Sequence, residues 1–398
     1  MDPSSQYQDY LLLLVLPLTV ISIVEALRNW HAVWDIDITW KDRNVLLRFA
    51  MFVLMPIVVF LHECGHAGAI LLFGGTIAEF HYGLLWGYVR PNGLFTPEQI
   101  LIIYLAGNVV EVICGLACLF ATLFVSSPPV VAVLVYLGIF SIAGTTIFYA
   151  IISMLGMYGD WTAIYNTTVT SWIPYIAIVH AFLVALVLYA VCGNAPRLWF
   201  TCKTKPNWET KWKLLSDNLK KEPTASRYLD LGWLYYDQGL IKLARQCLRK
   251  ARTLKAQDVN NDYLEGWLQV SERNPDKARK IFSAITNDLG SSPFMKATAF
   301  IAIAEVEEEQ VRIRSRGGPV PGKMWSAALE AYTAAEQVDP TLADAKYHRA
   351  RLLNKVGLHN EAKTELLSIT DAKWSDPELA QLVQVEYDLA SDQEQTQK

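Results

Sequence analysis

Two histidines and a glutamate stand close together in an otherwise apolar stretch, Leu61-His62-Glu63-Cys64-Gly65-His66-Ala67. On a helix, residues four apart share a face, so His62 and His66 can grip one metal ion. Neutral imidazoles at that spacing suit zinc. Glu63 then lies beside the ion. It can take a proton from water activated there and pass it to a leaving amine. A purely structural zinc site has no use for that carboxylate. The bare HExxH pattern also arises by chance. Its setting sharpens it, because a charge inside an apolar helix costs at least about 2.5–3.5 kcal/mol.

A catalytic zinc needs a third protein ligand and an open position. Two carboxylates compete, Asp160 in Gly159-Asp160-Trp161 and Glu111 in Asn108-Val109-Val110-Glu111. At about 1.5 Å per residue the HExxH centre lies roughly 13 Å from the Gly74 end of its helix, and Asn108 lies about as deep in the next one. Depth therefore leaves both carboxylates open. Asn108 has two readings, a donor to the substrate carbonyl or oxyanion and a helix–helix contact. His81 reads as an exposed loop histidine, and His180 as a packed one or one facing a polar cavity.

The elements that must position these groups follow from composition. The chain has 398 residues, 52 % of them hydrophobic and only 19 % charged. This excludes a disordered chain. Only six of the 35 Lys and Arg lie in residues 1–200, namely Arg28, Lys41, Arg43, Arg48, Arg90 and Arg197. A membrane half followed by a soluble half is implied. Five stretches are long enough to span a bilayer, about Tyr10–Leu27, Val45–Phe73, Ile100–Val125, Val130–Leu155 and Ile173–Cys192. The acidic start Met1-Asp2-Pro3-Ser4 argues for a retained first span rather than a cleaved signal. Trp30, Trp34 and Trp40 fit an interfacial belt. Between the second and third spans, residues 77–89 predict a short hairpin. A net charge of −4 gives no signal for nucleic acid. Six scattered cysteines without CxxC read as reduced core residues.

The HExxH segment, with Gly74-Gly75 and a hairpin behind it and then Ala106-Gly107-Asn108, resembles the site-2 protease family of intramembrane zinc metalloproteases. The similarity covers roughly residues 45–193 and is nearest to the compact bacterial branch without a PDZ domain. The resemblance implies Asp160 as the third zinc ligand beside His62 and His66, with Glu63 as acid–base; Glu111 is the alternative third ligand, as in a gluzincin-type site, and Asn108, from its depth, the substrate-positioning candidate. It also implies a membrane protein substrate and a multi-pass place in the bacterial cytoplasmic membrane. Two departures stand out. Trp161 occupies the place of a glycine, and no proline follows Asn108 at the usual distance. Sidedness is contested. Positive-inside counting puts the Arg28–Arg48 loop and the repeats in the cytoplasm, whereas the family pattern puts hairpin and zinc nearer that side.

The second half reads as tetratricopeptide repeats. Tyr228, Leu231, Gly232, Tyr235, Gly239, Ala244, Leu248 and Ala251 fall at the offsets of that 34-residue helix–turn–helix. Weaker copies follow at Gly266, Ala278 and Phe282, at Ala328, Tyr332 and Ala335, and at Ala362 and Leu366. An insertion at Arg314–Lys323 lengthens the third. The acidic run Glu305–Gln310 reads as a solvated helix face. The expected architecture is all-α. Residues 1–200 form a membrane helix bundle, 201–224 a linker, 225–376 an α-solenoid, and 377–398 a partly helical, frayed tail. Such arrays bind proteins or peptides. Two functions follow, a zinc endopeptidase whose repeats recruit substrate or regulator, and a non-catalytic membrane scaffold acting through the repeats.

Overall fold

The computed structural model describes residues 3–34, 38–155, 159–315, 322–369, 374 and 377–397. Apart from one two-stranded sheet it is helical, and it divides into two compact units, Met1–Lys213 and Leu214–Lys398.

In the first unit, α1 (Pro3–Arg28) contains the stretch expected as the first span, and a helical turn, α2 (Trp30–Val33), follows. Helix α3 (Trp40–Phe49) opens on a capping box in which Thr39 and Asp42 satisfy each other's backbone N–H. It continues through a π turn, Ala50–Leu54, into α4 (Met55–Leu72). The second apolar helix thus begins at Trp40 rather than Val45, because the capping box starts it earlier. Gly74, at φ +76°, ends α4. Its left-handed backbone lets Gly75 N–H donate to Ile70 O at 3.0 Å. Strands β1 (Thr76–Tyr82) and β2 (Gly87–Asn92) then pair antiparallel, Phe80 opposite Val89, with an irregularity between Ile77 and Glu79.

A second capping box, Thr96 with Gln99, starts α5 (Pro97–Ala121). Helix α6 (Pro128–Ala143) passes through another π turn, Gly144–Phe148, into α7 (Tyr149–Met154). A short helix α8 (Asp160–Tyr165) and a 3₁₀ turn lead to α9 (Ile173–Cys192). Among the described residues, four helical stretches are long and apolar enough to cross a membrane, Trp40–Leu72, Pro97–Ala121, Pro128–Met154 and Thr170–Cys192. The first expected stretch is helical within α1, where the side chains of residues 1–12 and 14 fall outside the described set. Close backbone approach holds the centre of the unit together. A Cβ on Gly65 of α4 would come within 2.8 Å of Ala106 O on α5, and one on Gly115 of α5 within 2.9 Å of Gly138 O on α6.

The expected linker is two helices, α10 (Asn194–Thr204) and α11 (Pro206–Lys221). Its aromatic residues explain the difference. Trp208 is buried, Phe200 packs on the cluster of Val33, Ile38, Val45, Leu46 and Ala132, and Thr204 O accepts from Ile38 N–H at 3.1 Å.

The second unit is a series of antiparallel helix pairs. These are α12 (Ala225–Asp237) with α13 (Ile241–Leu254), α14 (Val259–Ser271) with α15 (Pro275–Asn287), α16 (Pro293–Ser315) with α17 (Ser326–Val338), and α18 (Ala343–Lys355) with α19 (His359–Leu367). Ala244, Ala278, Ala328 and Ala362, the equivalent small positions, are at most 1 % exposed, so each pair closes on a methyl group. The insertion lengthens α16 to 23 residues, and its residues 316–321 lie outside the described set. The tail, expected to be partly helical, continues the helical array. It forms α20 (Pro377–Gln397), whose Leu379, Val383 and Tyr387 cover the cluster of Tyr347, Ala350, Leu353 and Leu366. Those apolar residues recur at helical spacing and cap the last pair.

The acidic run is likewise not a free face. Glu308 is 7 % exposed and accepts from Tyr332 Oη at 2.6 Å, Lys355 Nζ at 3.2 Å and Arg351 Nη2 at 3.3 Å. Burial, opposed by Arg351 and reinforced by Glu308 and Asp344, pushes half-buried Glu305 up to about 7. A carboxyl raised on folding contributes its full stability below its unfolded value and loses it as pH rises through the folded one. The repeat unit is therefore expected to weaken between about pH 4.5 and 7 through this group. Glu305→Gln is expected to flatten that slope in urea titrations of the full chain, and an unchanged slope would assign it to other groups.

Candidate metal centre

Helix α4 turns His62, Glu63 and His66 inward, each at most 6 % exposed. His66 Nδ1–H donates to Ile103 O of α5 at 2.7 Å. His62 Nδ1–H donates to Glu111 Oε2, also of α5, at 2.8 Å. These outward bonds fix both tautomers and leave both Nε2 atoms bare. The two Nε2 atoms face each other at 3.0 Å, and Asp160 Oδ2 completes the triangle at 3.2 Å from His62 and 3.1 Å from His66. With both imidazoles neutral, three lone-pair donors converge there. In a buried site that arrangement is repulsive unless a cation occupies it.

Asp160 arrives from outside the two long helices. Residues 156–158 of the break that precedes it lie outside the described set, and Gly159 then starts α8. A Cβ on Gly159 would crowd Ser153 Oγ and Tyr149 Oη, so only glycine lets the chain pass there. Asp160 N–H donates to Tyr149 Oη at 3.0 Å, and Thr162 Oγ1 to Ser153 O at 2.8 Å. Glu111, the competing third ligand, is instead committed to the far nitrogen of His62. It faces Nδ1 because α5 packs against that edge of the ring.

Asn108 has both ends of its amide engaged. Its Nδ2 donates to Tyr104 O at 3.0 Å and to Asp160 Oδ2 at 3.4 Å, while its Oδ1 accepts from Thr145 Oγ1 at 2.5 Å. It makes the helix–helix contact of one of the two sequence readings, and it also orients Asp160. His81 is not on an exposed loop. It lies half-buried in β1, stacked on Trp86 at 4.7 Å and Tyr88 at 5.3 Å.

Space for an ion comes from Gly107. A Cβ on this residue would lie 2.6 Å from His62 Nε2 and closer still to His66 Nε2. Glu63 Oε2 is buried and accepts no hydrogen bond from a described residue. Over it sits Gly87, the first residue of β2, where a Cβ would come within 2.8 Å of Glu63 Oε1. The hairpin is anchored there by Tyr82 Oη donating to Pro56 O at 2.7 Å.

No family model matches this chain, and no curated protein does. Among solved structures, a similarity is found to the crystal structure of the APC/C hetero-tetramer Cut9-Hcn1, at 12 % identity and a TM-score of 0.31. It covers 87 % of this chain, which spans about half of that one, 52 %. At that score, fold and chemistry rest on the residues described above.

The sequence left several members of the centre unassigned. Gly87 and Tyr149 carry no signal of their own, and Thr145 looks like any hydroxyl in an apolar helix. Gly107 enters the sequence only as half of a small-residue pair with Ala106. A glycine at the depth of the histidines, on the helix facing them, is the signal that would have found it.

Proposed function

We propose that this chain is an intramembrane zinc metalloendopeptidase of the site-2 protease type, with a tetratricopeptide-like unit that recruits substrate or a regulatory protein. One observation carries the reading, the convergence of His62 Nε2, His66 Nε2 and Asp160 Oδ2 with both imidazole tautomers fixed from behind. Their separations fit a small ion held at about 2.0–2.2 Å by two nitrogens and one oxygen, a donor set suited to zinc. Zinc there supplies a Lewis acid that polarises the scissile carbonyl and makes water acidic.

The chain's own residues do the rest. Glu63 takes one proton from the attacking water as the new C–O bond forms, and gives it to the amide nitrogen as the C–N bond breaks. Its carboxylate is free to do so, because no described residue donates to Oε2. Glu111 and Ile103 O hold the imidazoles, and Asn108 and Tyr149 hold Asp160. Four long apolar stretches support a place in a bilayer, where the substrate is a membrane-spanning or membrane-proximal segment. The scaffold alternative leaves the buried Glu63 without a role.

The test is zinc content and cleavage of single-span membrane proteins by the detergent-purified chain. About one zinc per chain with endoproteolysis supports the reading. A chain that takes up no zinc from a metal-replete buffer overturns it.

A further inference from the structure

Trp161 follows Asp160 directly, is 4 % exposed, and replaces the glycine of the family pattern. Its indole N–H donates to Thr145 O at 2.7 Å. Its ring lies flat against His180 of α9, with centroids 4.0 Å apart and an interplanar angle of 20°. His180 Nε2–H donates to Thr146 O at 2.6 Å, which makes Nδ1 the acceptor for Tyr165 Oη at 2.8 Å. Thr145 and Thr146 both belong to the π turn Gly144–Phe148. Such a turn breaks the regular ladder and frees carbonyls for other donors. Here the carbonyls of Thr145 and Thr146 both serve to hold α8, one through Trp161 and one through His180.

The two rings line an open cleft of about 340 Å³, together with Val109, Val112, Ile176 and Val179. Of the rings against Trp161, His180 is the nearer, since Tyr165 stacks at 5.8 Å, and the rest of the indole packs on Leu101, Ala150 and Ile164.

We infer that His180 is a positioning residue for the metal centre. Through its stack on Trp161 it holds α8 against the π turn, and so holds Asp160 Oδ2 in the triangle with His62 and His66. This rests on the metal reading above. Truncating His180 gives Trp161 room to tilt into the cleft and takes Asp160 with it, although His180 touches no ligand atom. Outer groups that orient metal ligands are typically worth about 10–100-fold in affinity.

The experiment loads the full-length detergent-purified chain with cobalt(II) as a spectroscopic probe and measures zinc affinity by chelator competition. Wild type is compared with His180→Ala and His180→Phe. His180→Ala is expected to alter the cobalt d–d spectrum and to weaken zinc by about 10–100-fold. His180→Phe keeps an aromatic ring over Trp161 and is expected to retain the wild-type spectrum and most of the affinity. A purely structural role for His180 would lower the melting temperature and leave the spectrum of the folded fraction untouched. An unchanged spectrum and affinity in His180→Ala would overturn the inference, as would equal damage in both variants, which would move the effect to the hydrogen bonds. A wild type that binds neither metal would overturn the metal reading itself.

Discussion

Gly107→Ala is expected to abolish zinc binding while leaving the helices formed. The added methyl group would sit among the ring nitrogens of His62 and His66, at 2.6 Å from the first and closer to the second. Ordinary non-bonded contacts begin near 3.5 Å, so the imidazoles must swing away and their lone pairs cease to converge. The substitution does not weaken α5 as a helix. Alanine is favoured over glycine in a helix interior by about 1 kcal/mol. Loss of metal is thereby separated from loss of fold. The measurement is zinc per chain by elemental analysis, beside the far-ultraviolet circular dichroism of the same sample. A folded variant holding as much zinc as wild type would place the ion elsewhere.

Glu63→Gln tests the second half of the chemistry. The amide keeps the shape of the side chain under Gly87 but cannot accept a proton as a base. Proton transfer by a positioned side chain contributes about 10²–10⁴-fold to rate, so cleavage of a membrane-spanning substrate is expected to fall by that factor. Zinc content should hold, because Glu63 is not among the three converging ligands. Cleavage within a few-fold of wild type would remove Glu63 from the reaction. Loss of zinc with loss of cleavage would make it part of the metal's support instead.

The legible parts of this molecule are those written in short-range spacing. His62 and His66 meet because helical periodicity alone brings residues four apart together. The repeat unit is legible for the same reason, since Ala244, Ala278, Ala328 and Ala362 mark the same place in successive helix pairs. What could not be read were features made by packing between distant segments. Asp160 and Glu111 were equivalent by depth, and they separate only because α5 shows Glu111 to one edge of His62 while α8 carries Asp160 to the other. The segment 201–224 reads as a linker because it is rich in Lys and Trp. Trp208 and Phe200 make it an amphipathic pair of helices. Glu308 looked solvated because its covering cations, Arg351 and Lys355, come from a helix more than forty positions away in the chain.

The π turn at Gly144–Phe148 sets a length constraint on this protein that no single side chain reveals. It is one surplus residue in an otherwise continuous helix, and it works by changing phase. Removing a residue there would restore a regular ladder, reclaim the carbonyls of Thr145 and Thr146, and rotate all of α7 by about 100° with a shift of about 1.5 Å. Tyr149 would then leave Asp160, and Trp161 and His180 would lose both acceptors. Substitutions along this stretch can be graded in effect, but an insertion or deletion cannot. Divergent versions of this chain that keep the centre should differ here in residue identity and never in spacing.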